Sequence, residues 1–201
     1  MQSRPSSRPL IFALAALLTL LASSSGLAEK TSTEFIRTSC SSTTYPRLCI
    51  KSLSSYASEI QKSPWQLAHA ALSVTLSGAR STSAFFSRLA AQHGLKPGVA
   101  GALRDCIETM GDSVDELRQS IAEIKHLSGP DFDLRMNNIQ TWVSAALTDE
   151  DTCTDGFAGA AMDGKINTVV RRHITAVAKM TSNALALVNN LASSSTPTGS
   201  P

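Results

Sequence analysis

The sequence has few of the residue patterns that mark an enzyme or a metal site. Aromatic residues make up only 5% of its 201 residues, and it contains no Cys-x-x-Cys pair. The four histidines, His69, His93, His126 and His173, fall on separate segments and are best explained as surface or packing residues. Serine is abundant, but no nucleophile-elbow context and no glycine-rich phosphate loop accompany it. We therefore expect no catalytic activity, no metal and no cofactor.

Long apolar runs are also scarce. The one extended run, "LIFALAALLTLL", covers residues 10–21 and is too short for a membrane helix, which needs about 20 apolar residues. Arg4 and Arg8 precede it, and small residues follow it up to Ala28. This layout predicts a secretory signal peptide over residues 1–28. We expect a secreted, extracellular protein that starts near Glu29 and has no membrane partner.

The opposite end of the chain is polar. The segment "SSSTPTGSP", residues 193–201, predicts a disordered C-terminal tail. Residues 29–192 remain, enough for one domain with a hydrophobic core. Their richness in Ala and Leu favours helix, because these side chains lose little freedom in one, and no β pattern or internal repeat is visible.

Helical periodicity is strong in four long segments, two of them marked by breakers. Ser63 and Pro64 predict a helix start, Gly94 a stop, and Gly129 with Pro130 a further break. We predict an all-α protein, an up-down-up-down four-helix bundle preceded by a helical hairpin formed by "TSTEFIRTSC" and "PRLCIKSLSSYA". The predicted core positions of the four helices are Trp65, Ala68, Leu72, Ala79, Phe86 and Leu89; Leu103, Ile107, Met110, Val114, Leu117, Ile121 and Ile124; Phe132, Met136, Ile139, Val143 and Ala146; and Ile166, Val170, Ile174, Val177, Thr181, Ala184, Val188 and Leu191.

Acidic residues are concentrated in the middle of the chain. Residues 29–102 carry eight basic and three acidic side chains, residues 103–163 carry four and thirteen, and residues 164–201 carry four and none. Residues 29–201 are therefore neutral overall with an acidic centre, which argues against nucleic acid as the partner. A basic protein partner fits this charge distribution better.

Four cysteines in an exported chain predict two disulfides, with three possible pairings of Cys40, Cys49, Cys106 and Cys153. Cys40 and Cys49 would be too far apart along one helix to bond, so a bridge between them requires the turn that "SSTTYP" provides. A bridge from Cys106 to Cys153 would pin two helices together.

The second long helix carries an acidic stripe opposite its apolar face. A solvated outer face is the simplest explanation of such a stripe, and solvation would leave its carboxyl pKa values near their ordinary ones. A second polar row on the next helix favours a partner surface instead, although helix capping is an equal alternative for Thr152. The stripe consists of Asp105, Glu108, Asp112, Asp115, Glu116 and Glu123, and the row consists of Gln140, Ser144, Thr148, Asp151, Thr152 and Asp155.

Four ordered motifs resemble a known family. "TEFIRTSCSSTTYPRLC", "ALRDCIETMGDSVDEL", "TWVSAALTDEDTCTDGF" and "SNALALVNNL" are together similar to the plant invertase and pectin methylesterase inhibitor family, over nearly all of residues 31–192. The resemblance implies a secreted four-helix bundle with a helical hairpin, and bridges Cys40–Cys49 and Cys106–Cys153. It also implies reversible, non-covalent inhibition of an enzyme that acts on carbohydrates in the plant cell wall, and hence a location in the apoplast.

The resemblance further implies two alternative targets, pectin methylesterase and acid invertase. In the esterase inhibitors, the second, third and fourth bundle helices lie across the substrate cleft. Carried over by position, this assigns Glu108, Asp112, Asp115, Thr152 and Asp155 to a one-to-one contact with the esterase. Inhibitors of invertase insert a Pro-Lys-Phe segment, which this sequence lacks. Pectin methylesterase is therefore the expected partner, acid invertase is the alternative, and an extracellular helical signalling ligand is a more remote one.

Overall fold

The helical hairpin and the four long helices are all present in the structure. A computed structural model describes residues 29–158 and 164–195, so the predicted signal peptide lies outside the described residues. Helix α1 occupies residues 29–40 of the described part. It is followed by α2 (Pro46–Leu53), a 3-10 turn (Ser54–Tyr56), α3 (Ala57–Ile60), α4 (Pro64–Ala90), α5 (Pro97–Ile124), α6 (Phe132–Gly156) and α7 (Lys165–Ser195).

Proline occupies the first turn of three helices, and the predicted start of α4 at Ser63 and Pro64 is confirmed. Pro64 occupies the first turn of α4, and the Ser63 hydroxyl accepts a hydrogen bond from the Gln66 N–H at 3.2 Å, which satisfies one of the free donors at that end. Pro46 and Pro97 open α2 and α5 in the same way. Gly129 has a φ of +77° in the connection between α5 and α6, a conformation that favours glycine.

The four long helices form a bundle in which each packs against two neighbours. Helix α4 contacts α5 and α7, and α6 also contacts α5 and α7, so α4 and α6 lie diagonally across the bundle. The predicted apolar columns fill the centre: Phe86, Leu103, Ile139 and Ile174 are completely buried. Five predicted core residues are only half-buried, namely Trp65, Ile107, Ile121, Phe132 and Ile166.

The hairpin of α1 and α2 is closed by a disulfide and fastened to the bundle by hydrogen bonds from α7. Cys40 and Cys49 form a disulfide whose Cα atoms lie 5.6 Å apart, across the turn that joins the two helices. Asn183 of α7 then bonds both backbone groups of Tyr45, accepting from its N–H and donating to its carbonyl, each at 3.0 Å. Helix α2 thereby packs over part of the seam between α4 and α7.

The second disulfide joins α5 to α6. Cys106 and Cys153 are both buried, and their Cα atoms lie 4.6 Å apart. The pairing implied by the family resemblance is therefore present in full. Among the described residues, none of the helices is long and apolar enough to cross a membrane.

The predicted boundary at residue 192 does not coincide with the end of the last helix. Helix α7 continues to Ser195, so the predicted tail begins inside that helix, and residues 196–201 lie outside the described residues. Serine is only moderately unfavourable in a helix. Once the preceding part of α7 has formed, the helix can therefore extend through a few serine residues.

Candidate functional site

The outer side of α5 carries four of the six predicted acidic residues in exposed positions, whereas Glu116 and Glu123 are half-buried. Glu108, Asp112 and Asp115 are all exposed, and Asp115 forms an ion pair with Arg118 one helical turn later. Asp112 and Asp115 also line a shallow groove between α5 and α4, together with Arg80 and other residues of α4. These carboxylates are therefore available to a partner that approaches from the α5 side.

The predicted polar row follows α6 for most of its length. Ser144, Thr148, Asp151, Thr152 and Asp155 are exposed. The sixth member, Gln140, is half-buried, and its side-chain N–H donates to the Asn189 side chain of α7 at 2.9 Å. The row therefore runs from the α7 side of α6 towards the end of the helix that carries Cys153.

The hydroxyl groups of this row are all bonded to their own helix. Ser144, Thr148 and Thr152 each donate to the carbonyl four residues earlier, at 2.7, 3.1 and 2.8 Å respectively. Thr152 lies inside α6 and does not cap a helix end, so the capping alternative is wrong. Because the hydroxyl protons are already used, a partner would meet oxygen atoms that can still accept hydrogen bonds.

One member of the acidic stripe, Glu123, bonds α6 directly, but its partners lie outside the polar row. Arg135 donates to Glu123 at 2.5 Å, and Asn138 lies 3.5 Å from the other oxygen of the same carboxylate. No hydrogen bond or ion pair within the described parts of the chain joins the acidic stripe to the polar row. The Cys106–Cys153 disulfide fixes their relative position through the two helices that carry them.

One member of the acidic stripe, Glu116, faces a carboxyl group of α6, that of Asp149. Both residues are half-buried, and the Oε2 atom of Glu116 is buried without a hydrogen-bond partner among the described residues. Burial and then the charge of Asp149 raise the pKa of Glu116 to about 7, and burial also raises the pKa of Asp149. The expectation that the whole stripe keeps ordinary pKa values is therefore wrong at Glu116, because this residue contacts a second carboxyl group instead of water.

A third carboxyl group, that of Glu150, is completely buried in the bundle. Its Oε1 atom accepts hydrogen bonds from Ser113 of α5 and Thr181 of α7, each at 2.9 Å, while Oε2 has no partner. Burial raises the pKa of Glu150 to about 8. A group with this pKa holds its proton at acidic and neutral pH, so Glu150 links three helices as a neutral acid.

The burial of Glu150 could have been predicted from its position in the sequence, although the periodicity of apolar residues alone does not predict it. Glu150 comes four residues after Ala146 and three before Cys153, so it continues the apolar column of α6. Ser113 and Thr181 occupy equivalent core positions on α5 and α7. A carboxyl group in an apolar column, with hydroxyl residues at matching core positions, indicates a buried acid.

The arrangement offers hydrogen-bond acceptors and negative charge, with little that suits catalysis. No group of three or more His, Cys, Asp or Glu side chains in the described residues is placed to hold a metal ion. The α5 and α6 surface combines exposed carboxylates with hydroxyl oxygens whose protons are already used. Such a surface suits a partner rich in N–H donors and positive charge.

Comparison with known proteins gives relatives over most of the chain. The family model described as "Plant invertase/pectin methylesterase inhibitor" matches residues 34–187. A 21 kDa protein of Daucus carota is 51% identical over 180 residues, covering 88% of this chain and 92% of the carrot protein. Pectinesterase inhibitor 11 of Arabidopsis thaliana is 47% identical over 170 residues, covering 83% of this chain and 84% of its own.

A solved structure shares the fold. A crystal structure of a mutant form of a pectin methylesterase inhibitor from Arabidopsis superposes with a TM-score of 0.61, covering 75% of this chain and 92% of that one. The two sequences are 21% identical, so this similarity concerns the helical architecture alone.

Proposed function

Because the chain belongs to the plant invertase/pectin methylesterase inhibitor family, we propose that it inhibits pectin methylesterase by binding over the enzyme's substrate cleft. Relatives named as pectinesterase inhibitors, at 47% and 44% identity over more than four-fifths of this chain, support the esterase as the target. Inhibition would limit the removal of methyl esters from cell-wall pectin.

The hydrogen-bond acceptors exposed on α5 and α6 are the observation on which the choice of contact residues rests. Glu108, Asp112 and Asp155 present carboxylate oxygens, and Thr148 and Thr152 present hydroxyl oxygens whose protons are bonded within α6. A carboxylate and a hydroxyl without a free proton can only accept hydrogen bonds. We expect the complementary esterase surface to supply N–H donors from Arg, Lys or backbone groups.

Inhibition by this surface is steric. The chain presents a pair of helices held by a buried disulfide, and a rigid body of this kind loses little conformational entropy on binding. When it covers the cleft, the polysaccharide has no access to the catalytic groups. No covalent bond forms between the proteins, so the inhibition is reversible and one inhibitor occupies one enzyme.

Charge and burial contribute differently to the affinity. Each exposed ion pair contributes about 0 to 1 kcal/mol, so the carboxylates of α5 mainly accelerate association and make it sensitive to salt. Most of the binding free energy has to come from contacts that exclude water. Thr152 lies near Cys153 at the end of the row, and we place such a buried contact there.

We propose that the protein is secreted and that residues 29–192 form its inhibitor domain. The apolar leader over residues 1–28 supports export to the apoplast, as do the two disulfides, since such bonds persist in oxidising compartments. In that setting the enzyme, its pectin substrate and the inhibitor share the cell wall.

Two parallel assays test the function. The purified mature protein is added in increasing amounts to a plant pectin methylesterase and to an acid invertase at acidic pH, and the release of methanol and of glucose is measured. We expect the esterase to be inhibited until one equivalent is bound and the invertase to remain fully active. Inhibition of the invertase alone would reverse the assignment, and full activity of both enzymes would remove it.

A further inference from the structure

The two long helices that pack against each other on the opposite side of the bundle carry no acidic residue. Neither Pro64–Ala90 nor Lys165–Ser195 contains an Asp or a Glu, whereas Pro97–Ile124 and Phe132–Gly156 contain eleven between them. The bundle therefore separates its charge across its width, with α5 and α6 negative and α4 and α7 positive. The basic residues of this second pair are Arg80, Arg88, Lys165, Arg171, Arg172 and Lys179.

Two of these six basic side chains already contact other groups of the chain. Arg171 lies 3.5 Å from the carbonyl oxygen of Phe157, and Lys179 sits over the Tyr45 ring at 5.2 Å from its centroid. Arg88 and Arg172 are exposed, and neither makes an ion pair or a hydrogen bond to any described residue. Charges without an internal partner are available to an anion that arrives from solution.

An aromatic contact marks the part of the α4 and α7 seam that α2 leaves uncovered. The rings of Phe85 and His173 stack with their centroids 4.3 Å apart and an interplanar angle of 23°. Arg88 follows Phe85 by three residues, and Val169, which is 39% exposed, precedes His173 by four. Arg172 in turn follows Val169 by three residues, and residues at these spacings share one helix face. Each helix therefore carries one cation beside the apolar side chains of the seam.

We propose that this seam, defined by Phe85, Arg88, Val169, Arg172 and His173, binds a polyuronate, the de-esterified form of pectin. The proposal rests on the proposed function, because a pectin methylesterase produces such carboxylates where the inhibitor acts. A uronate chain carries a carboxylate on every sugar and apolar patches on its rings. These features match exposed guanidinium groups beside apolar side chains.

This second surface would hold the inhibitor on pectin that has already lost its esters. The family resemblance also brings α7 to the enzyme, but the seam lies on the α4 side of that helix, and the residues assigned to the enzyme contact lie on α5 and α6. The protein can therefore contact the polysaccharide and the enzyme at the same time. The inhibitor would then accumulate where the esterase has been active and oppose further removal of esters there.

Calorimetric titration with polygalacturonate tests the proposal on the full mature chain. The test variant R88Q/R172Q removes two charges from the seam, and the matched control R104Q/R118Q removes two exposed charges from α5. Since one exposed ion pair contributes at most about fivefold in affinity, we expect a fall of about fivefold to tenfold for the test variant and less than about twofold for the control. Thermal unfolding of each variant, followed by circular dichroism, verifies the fold.

Two further ligands establish which chemistry is recognised. Highly methyl-esterified pectin has the same backbone without the charges, and we expect it to bind at least about tenfold more weakly than polygalacturonate. Double-stranded DNA at the same salt concentration reports general attraction to polyanions. The proposal would be overturned if both variants lost the same affinity for polygalacturonate, or if esterified pectin bound as tightly as polygalacturonate. DNA binding as tight as that of polygalacturonate would also overturn it.

A pectin-free experiment separates this proposal from the proposed function. Binding to an immobilised pectin methylesterase is measured for the wild type and for R88Q/R172Q, which we expect to agree within about twofold. Loss of polygalacturonate binding with intact enzyme binding is the predicted pattern. Enzyme binding without any polygalacturonate binding by the wild type refutes the polyuronate site alone, whereas absence of enzyme binding refutes the proposed function.

Discussion

Ser113 of α5 donates a hydrogen bond to the buried carboxyl group of Glu150 of α6 at 2.9 Å, in the interior of the bundle. Thr181 of α7 donates to the same oxygen, so one side chain connects three of the four long helices. Burial favours the neutral acid and raises the pKa of Glu150 from 4.5 to about 8. The stability of the bundle therefore depends on a proton held inside it.

The first prediction concerns stability against pH. The folded protein holds this proton more tightly than the unfolded chain, so the stabilisation is complete below pH 4.5 and is lost as the pH rises to about 8. A shift of this size corresponds to a contribution to the free energy of unfolding on the order of 5 kcal/mol. We expect urea unfolding of the wild type to show a marked loss of stability between pH 4.5 and pH 8.

The amide variant E150Q isolates the contribution of Glu150. Glutamine cannot ionise, so the free energy of unfolding of E150Q should change less with pH than that of the wild type. Glu116 acts in the same direction, and some dependence on pH will remain. The exposed residue Glu108 provides the control, since E108Q should follow the wild-type curve. Identical pH dependence of E150Q and the wild type would show that Glu150 is ionised in the folded protein.

The second prediction compares the two disulfides. Loss of the Cys106–Cys153 bridge, which spans 47 residues, should lower the free energy of unfolding by about 4 kcal/mol through the entropy of the unfolded chain. The Cys40–Cys49 bridge spans 9 residues, and its loss should cost about 2.5 kcal/mol. Denaturant unfolding of C106A/C153A and C40A/C49A measures both values. A larger loss in C40A/C49A would contradict the chain-entropy explanation.

The fold follows from the sequence because local signals and periodicity agree. Ser63 and Pro64 start α4 as predicted, and the apolar columns through Met110, Ile139 and Ile174 are buried. Half-buried Ile107 and Ile121 show the limit of this method. Periodicity identifies the inward side of a helix, but the depth of each residue depends on where the neighbouring helices pack.

The candidate site is harder to predict from the sequence than the fold, because its chemistry depends on contacts between helices. The stripe on α5 is visible in the spacing of its residues, yet Glu116 belongs to a carboxyl pair only because Asp149 of α6 faces it. Nothing local to "DELRQS" distinguishes Glu116 from its exposed neighbour Asp115. The acceptor-only character of the row on α6 likewise depends on side-chain hydrogen bonds to the helix backbone, which the sequence does not specify.

The third prediction places a buried contact with the esterase at Thr152. Thr152 is exposed in the free protein, and a bulky charged side chain at this position would clash with an enzyme packed against it. We expect T152R to weaken inhibition by at least about a hundredfold, the scale of an interface hot spot. Ser81 of α4 is the matched control, because it is exposed, its hydroxyl also bonds the carbonyl four residues earlier, and α4 lies diagonally opposite α6.

Titration of pectin methylesterase with both arginine variants measures this effect. The control variant S81R should inhibit within about threefold of the wild type. A T152R variant that inhibits as well as S81R would place the enzyme contact elsewhere on the bundle.

The most direct test of the account is the affinity of D112K/D115K for pectin methylesterase at several salt concentrations. If the acidic face of α5 meets a basic enzyme surface, this charge reversal should weaken binding by about tenfold or more at low salt, mainly through slower association, and the difference should shrink as salt is added. Both residues are exposed, so the melting temperature should stay close to that of the wild type. Unchanged affinity at low salt, in a variant with a native melting curve, would contradict the claim that this face binds the enzyme.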